Sequence, residues 1–230
     1  MLDILYEDNH LLVCIKPIGI LSQPDTGEGE NMMALLSDYL RSNHEKPCVG
    51  LVHRLDRNVG GVMVFSKNPN VTGKLGVAIM ERDFTKEYLA AVENCPEEVS
   101  GIYQDLLFKD SSKNKSFVVK RARKGVKEAS LEYSVLETKN VTKGVISLIK
   151  IKLHTGRTHQ IRVQFSSRKM PLLGDGKYGS TDNGCEIALW SYRLAFAHPI
   201  NKKHLDFYKE PPCVYPWNEF LFKDPIKDSN

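Results

Sequence analysis

At 230 residues the chain has room for one large domain or two small ones, and its 41% hydrophobic and 26% charged content excludes the disordered and fibrous classes. A net charge of +4 is modest, so an affinity for nucleic acid has to rest on where the cations stand, not on their number.

The chain opens with ILYEDNHLLVCIKP, two short apolar runs split by Glu7, Asp8, Asn9 and His10 and closed off by Pro17 and Gly19, the pattern of a β-hairpin. NMMALLSDYLRS spaces Met33, Leu36 and Leu40 at three and four residues, which predicts an amphipathic helix with Asn31 as its N-cap. The run GGVMVFSK is continuous and apolar and suits a central strand. TGKLGVAIMERD reads as helical despite two glycines, and KEYLAAVE as the strand that follows. Further on, SFVVKRARKGVKEASLEYSVLE predicts two strands around a basic loop, and VISLIKIKLH alternates from Ile146 as a half-buried strand does. In TGRTHQIRVQF, Gly156 marks a turn and Thr155 or Thr158 is placed to cap a short helix. Ile161 and Phe165 would then face the core, and His159 and Arg162 would share another face. LWSYRLAFAHP predicts a last strand, and KEPPCVYPW carries too many prolines to be regular. Strands and helices in blocks, with no repeat, low-complexity tract or flexible linker, predict an α+β fold in one domain over 1–230.

Cys14, Cys48, Cys95, Cys185 and Cys213 are scattered, odd in number and without a C-x-x-C pair, which reads as reduced thiols of a cytoplasmic protein. The first ten residues lack the basic-then-apolar layout of a secretion signal, and no apolar run approaches the roughly 20 residues of a membrane span. A cytoplasmic location with no membrane partner is expected.

Three places stand out chemically. In VHRLDRNVGGVMVF the carboxylate of Asp56 sits between Arg54 and Arg57 at the entrance to a strand. Such an aspartate is more often a salt-bridged structural residue, but a carboxylate kept ionised by neighbouring cations also suits a nucleophile or electrostatic stabiliser. In TGRTHQIR, Arg157, His159, Gln160 and Arg162 gather at a predicted helix start, a candidate anion-binding site. Tyr88 in KEYLAAV reads, taken alone, as a half-buried strand tyrosine. Between Ser111 and Lys127, Lys113, Lys115, Lys120, Arg121, Arg123, Lys124 and Lys127 stand with no acidic residue among them. That pattern fits either a solvated face or a surface that contacts phosphates. There is no Walker-type phosphate loop, no G-x-S-x-G elbow, no H-E-x-x-H and no metal-binding spacing of cysteine and histidine. The chemistry expected therefore uses carboxylate, phenol and guanidinium groups, with no metal and no cofactor.

HRLDRNVGG followed by KEYLAAV, LHTGRTHQIRVQF and LLGDGKYG resembles the RluA family of RNA pseudouridine synthases, and ILYEDNHLLVCIKPIGILSQP and SYRLAFAHP extend the likeness over nearly the whole chain. The resemblance implies a mixed, mostly antiparallel central sheet with flanking helices. It also implies isomerisation of uridine to pseudouridine in structured ribosomal or transfer RNA. By resemblance Asp56 is the nucleophile, Arg162 its ion-pair partner and Tyr88 the ring that stacks on the target base and assists proton removal from C5. Arg54 enters the space left by the flipped nucleotide, and Leu55, Arg157, Thr158, His159 and Gln160 contact substrate. The glycines after Asp56 are expected to let the strand approach the substrate backbone closely.

Three positions depart from the family's pattern: Val59-Gly60 stands where Thr-Ser is usual, and Gln164 and Trp190 stand where histidine is frequent. The family's frequent S4-like RNA-binding module is not expected, so the basic 111–127 segment becomes the candidate for gripping RNA. A monomer without an obligate protein partner is expected. The alternatives are a catalytically silent RNA-binding protein of the same fold and a nucleoside or glycoside hydrolase. The hydrolase would need a second carboxylate, and the matched motifs offer none.

Overall fold

The computed structural model describes residues 2–25 and 29–221. In chain order its elements are β1 (Asp3–Glu7), β2 (Leu11–Lys16), α1 (Met32–Ser42), β3 (Gly50–Leu51), β4 (Gly60–Ser66), α2 (Pro69–Met80) and β5 (Phe84–Glu93). There follow β6 (Ser100–Asp110), β7 (Lys115–Val119), β8 (Val126–Val141), β9 (Gly144–Leu153), α3 (Gln160–Ser166), β10 (Leu189–Ala197) and β11 (His204–Tyr208). The chain divides into two compact units, Met1–Tyr88 with Trp190–Glu210 and Leu89–Leu189 with Pro211–Asn230. One division falls inside β5 and another at the start of β10, within apolar strands. No shift in composition marks either place in the sequence.

In the first unit β1 and β2 form the predicted hairpin, and β2 continues antiparallel to β4, from Leu11 opposite Ser66 to Lys16 opposite Gly61. Every residue of β2 and of β4 is buried, which is why both read as apolar runs without alternation. On its other side β4 pairs with the short β3 and, in parallel, with β10, Trp190 opposite Gly60 and Ser191 opposite Gly61. β11 closes antiparallel on β10.

The side chain of Asn31 caps α1 by accepting the Ala34 N–H at 3.0 Å, as the sequence predicts. The buried face is Met32, Leu36 and Leu40, and Met33 is half-buried: the inward residues recur every four positions and the first lies one earlier than expected. α2 starts on Pro69 with Asn68 as cap, and Val71 and Leu75 face inward.

The second unit contains an antiparallel sheet in which β6 pairs with both β7 and β8, and β8 pairs with β9. The two strands expected around the basic loop are present, but they do not pair with each other. β6, which the sequence reading did not resolve, lies between them, so the loop after β7 crosses the end of β6. The parallel β4–β10 pair among antiparallel ones makes the sheet mixed and mostly antiparallel, and with the helices the fold is α+β. No helix among the described residues is long and apolar enough to cross a membrane.

Candidate active site

Asp56 lies on the loop between β3 and β4, and the preceding segment 16–22 pins its neighbours from both sides. Ser22 Oγ donates to the carbonyl of Leu55 at 2.9 Å and accepts the Leu55 N–H at 3.0 Å. On the other flank the carbonyl of Arg57 accepts the Gly19 N–H at 2.9 Å and the ammonium of Lys16 at 3.0 Å. The Val59 N–H closes the turn on the carbonyl of Asp56 at 3.0 Å. With both adjoining peptides fixed and Leu55 buried at 8% exposure, the half-buried carboxylate is presented from a rigid backbone.

The cations in the motif play separate parts. Arg57 Nε donates to the carbonyl of Gly19 at 2.9 Å, so this arginine helps tie the two loops, and Arg54 is exposed. Lys16 was not singled out by sequence. Its side chain is wholly buried and donates to the carbonyls of Pro17, Ile20 and Arg57 at 2.8, 2.6 and 3.0 Å. Burial pushes its pKa down to about 8, and the charge of Asp56 pulls in the opposite direction. His53, the first residue of H-R-L-D, accepts the Val64 N–H through Nε2 at 3.3 Å. Burial holds its pKa near 3, so it stays neutral and serves the sheet.

Tyr88, on β5, is 6% exposed. Burial raises its phenol well above the ordinary range and the negative charge of Asp56 adds to that, while a hydrogen bond with the Ser191 side chain opposes it. Ser191 in turn donates to the carbonyl of Val62 at 2.9 Å, so β10 and β4 hold the residue that meets the phenol. Asp56, Tyr88, Lys16 and Ser191 therefore form one electrostatic neighbourhood within the first unit. In it the charge of the carboxylate helps to keep the phenol protonated at neutral pH.

Gly60 and Gly61 serve this geometry from inside the protein. A Cβ on Gly60 would stand 2.4 Å from Trp190 Cζ3. One on Gly61, whose φ is +119°, would stand 2.2 Å from the Ser191 carbonyl oxygen. Close approach of β4 to β10 accounts for both glycines, where the sequence reading expected approach to a substrate backbone.

The second unit gathers the TGRTHQIR residues. Neither threonine caps α3: the capping position is His159, in the left-handed region at φ +53°, and no side chain caps the helix. Thr155 instead donates to Gln160 Oε1 at 2.8 Å and accepts the Ser130 N–H at 2.9 Å. Gln160 also accepts the Arg157 N–H at 3.0 Å and donates to the Ser130 carbonyl at 3.1 Å. The buried amide of Gln160 thus organises the loop that presents Arg157, Thr158 and His159. Arg157 is exposed and its Nε donates to the Glu128 carbonyl at 2.8 Å, while the Thr158 carbonyl accepts Ser116 Oγ at 2.6 Å.

Residues 160–165 of α3 are all buried, Arg162 among them. Its guanidinium forms a two-pronged pair with Asp175, Nε to Oδ2 at 2.7 Å and Nη2 to Oδ1 at 2.9 Å. His159 and Arg162 do share a face, as predicted: both meet Tyr178, through its hydroxyl at 2.9 Å and its ring at 5.0 Å. Lys16, Ser22, Ser191, Asp175 and Tyr178 are the residues of the two groups that sequence reasoning did not assign. Among the described residues no cluster of histidine, cysteine, aspartate or glutamate is arranged to hold a metal ion.

Among known proteins this chain is similar to enzymes named as RNA pseudouridine synthases. The family model for RNA pseudouridylate synthases matches residues 10–167, and the chain belongs to that family. An uncharacterised RNA pseudouridine synthase of Aquifex aeolicus (strain VF5) is 36% identical over 95% of this chain and 73% of its own length. The ribosomal large subunit pseudouridine synthase D of Borreliella burgdorferi is 33% identical over 83% and 60%. The chain thus spans less than two thirds of the second relative. The solved structure of human RNA pseudouridylate synthase domain containing 1 superposes with a TM-score of 0.76, covering 99% of this chain and 92% of that one at 22% identity, and so shares the fold.

Proposed function

We propose that this chain isomerises uridine to pseudouridine in structured RNA, ribosomal or transfer, as a cytoplasmic monomer. Asp56 attacks or stabilises C1′ of the ribose as the bond to N1 breaks. The freed uracil turns, C5 bonds to C1′, and the C5 proton is lost. Tyr88 receives the flipped base on its ring and takes part as a neutral phenol. Arg162 supplies the cationic partner of the nucleophile, a role that comes from the resemblance. Arg54, exposed beside the loop, fills the stack that the uridine leaves, and Leu55, Arg157, Thr158, His159 and Gln160 frame the bound strand. The observation that best supports this reading is the pinned Asp56 loop within electrostatic reach of the buried Tyr88 phenol.

The basic stretch supports an RNA substrate independently of the chemistry. Lys113, Lys120, Arg121, Arg123, Lys124 and Lys127 are exposed, and cations alternate with aromatic rings: Arg123 lies 4.8 Å from the Phe108 ring centroid and Lys115 lies 5.8 Å from that of Phe117. Such a surface attracts phosphates and offers rings to unpaired bases.

Release of tritium from C5-labelled ribosomal and transfer RNA transcripts tests the proposal. The native chain should release label from one class of RNA, and Asp56→Asn should release none while binding that RNA with unchanged affinity. Binding without release by either protein would replace the enzyme with a silent RNA-binding protein of the same fold.

A further inference from the structure

The stretch LLGDGKYG, Leu172 to Gly179, takes no part in the chemistry above, yet the second unit is built to hold it in one shape. Gly174 has φ +75°, and a Cβ there would stand 2.4 Å from the carbonyl oxygen of Glu186 and 2.5 Å from that of Cys185. The turn is therefore seated on that backbone with no room for a side chain. The carbonyl of Asp175 accepts the N–H groups of Tyr178 and Ser180, at 2.9 and 3.1 Å, which folds the loop back on itself. Ser166 Oγ, at the end of α3, donates to the carbonyl of Tyr178 at 2.5 Å.

This fixed turn aims two side chains at Arg162. The Asp175 carboxylate, 1% exposed, grips the guanidinium through two parallel hydrogen bonds, which define the plane of the group as well as its place. The Tyr178 ring supports it at 5.0 Å. The same phenol organises His159. Its oxygen accepts the Ser116 N–H at 2.8 Å and shares a hydrogen bond with His159 Nδ1 at 2.9 Å. A buried ion pair adds little to stability compared with apolar residues of the same volume, so stability alone is a poor reason to bury this one.

We propose that Asp175 and Tyr178 are positioning residues of the isomerisation, acting through Arg162: the carboxylate sets the orientation of the guanidinium and the ring supports it. The proposal rests on the assignment of Arg162 to the reaction.

A double-mutant cycle on the full chain separates this from a structural role. Single-turnover tritium release at saturating enzyme, with RNA affinity and thermal midpoint recorded alongside, is compared for the native chain, Asp175→Asn, Arg162→Gln and the pair. Misorienting a group at the reacting centre costs about 100-fold in rate. Asp175→Asn should therefore slow release to that degree at unchanged RNA affinity, and in the Arg162→Gln background it should change the rate by less than about twofold. Asp175→Glu keeps the charge while displacing the fork, and it replaces the asparagine variant should that one fail to fold. A variant at position 175 that is as fast as the native chain, or that loses as much without the Arg162 guanidinium as with it, overturns the proposal and leaves the function standing. A native chain that releases no label, or an Arg162→Gln chain as fast as the native one, removes the reading on which the proposal rests.

Discussion

The indole of Trp190 occupies the space that a side chain at position 60 would need: Cζ3 lies 2.4 Å from the Cβ that Gly60 lacks. The two residues face each other across the parallel β4–β10 pair, and Trp190 is held there by its Nε1 donating to the Lys209 carbonyl at 2.8 Å. Two of the departures from the RluA pattern, glycine for the usual serine and tryptophan for the frequent histidine, are thus one exchange of volume. Gly60→Ser should destabilise the chain by about 1–3 kcal/mol through overpacking. Combining it with Trp190→His should return most of the loss. Urea midpoints of the two single variants and the double measure this, and additive losses would contradict it.

Lys16→Met should cost about 3 kcal/mol, because the carbonyls of Pro17, Ile20 and Arg57 lose a buried, charged donor together. The pH dependence carries the same signature. Burial lowers the folded pKa from 10.5 to about 8, so between those values the unfolded chain holds a proton that the folded chain has released. This lysine therefore makes stability rise with pH across that window. The stability advantage of the native chain over Lys16→Met, followed from pH 7 to 10.5, should therefore widen as that proton leaves. A constant difference would mean that Lys16 does not titrate there.

Asp8 should give an acid limb. Burial pushes its carboxyl up, but the N–H groups of His10 and Leu11, the Tyr6 hydroxyl and His198 outweigh that and leave it below the usual 3.8. The group stabilises the fold above its unfolded pKa, and the contribution fades as pH falls through the lower folded value. Chemical denaturation from pH 5 to 3 should show a steeper decline for the native chain than for Asp8→Asn.

Replacing Arg121, Arg123 and Lys124 together by alanine should weaken RNA binding and flatten its salt dependence by about 0.7–0.9 in log–log slope for each phosphate that is no longer neutralised. All three are exposed, so the thermal midpoint should stay put. An unchanged slope would place the RNA elsewhere.

Tyr88→Phe, which keeps the ring, should retain more activity than Tyr88→Leu, which loses it. Because burial and the charge of Asp56 hold the phenol protonated, the native rate should show no rise between pH 7 and 9 attributable to a phenolate. A pH–rate profile of the native and phenylalanine chains decides the point.

Local patterns carried much of the fold into the sequence. Asn31 before an apolar stripe, Pro17 and Gly19 after a hairpin and the unbroken GGVMVFS run each express one element through its own residues. Asp56 was legible because three charges in four residues contradict an ordinary turn. Lys16 was hidden because IKP looks like a solvated strand end, and its acceptors come from positions 17, 20 and 57, which only the folded chain assembles. The threonines near α3 looked like caps by spacing, but the buried amide of Gln160 claims Thr155 and leaves His159 to turn the corner in a left-handed conformation. The role of Asp175 in LLGDGKYG was not legible, since its partner lies thirteen residues back on a helix whose buried side includes an arginine.

The return of the chain at Trp190 to complete the first unit also has a consequence during protein synthesis. Val62 and Ser191, joined by a hydrogen bond in the finished protein, are 129 residues apart. At a synthesis rate of about 5–20 residues per second that separation is roughly 6–26 s. Throughout that interval β4, buried along its whole length in the native fold, has emerged without its parallel neighbour. The nascent chain therefore carries β4 with that edge unpaired until Trp190 and Ser191 have been translated, an exposed strand edge open to wrong pairing.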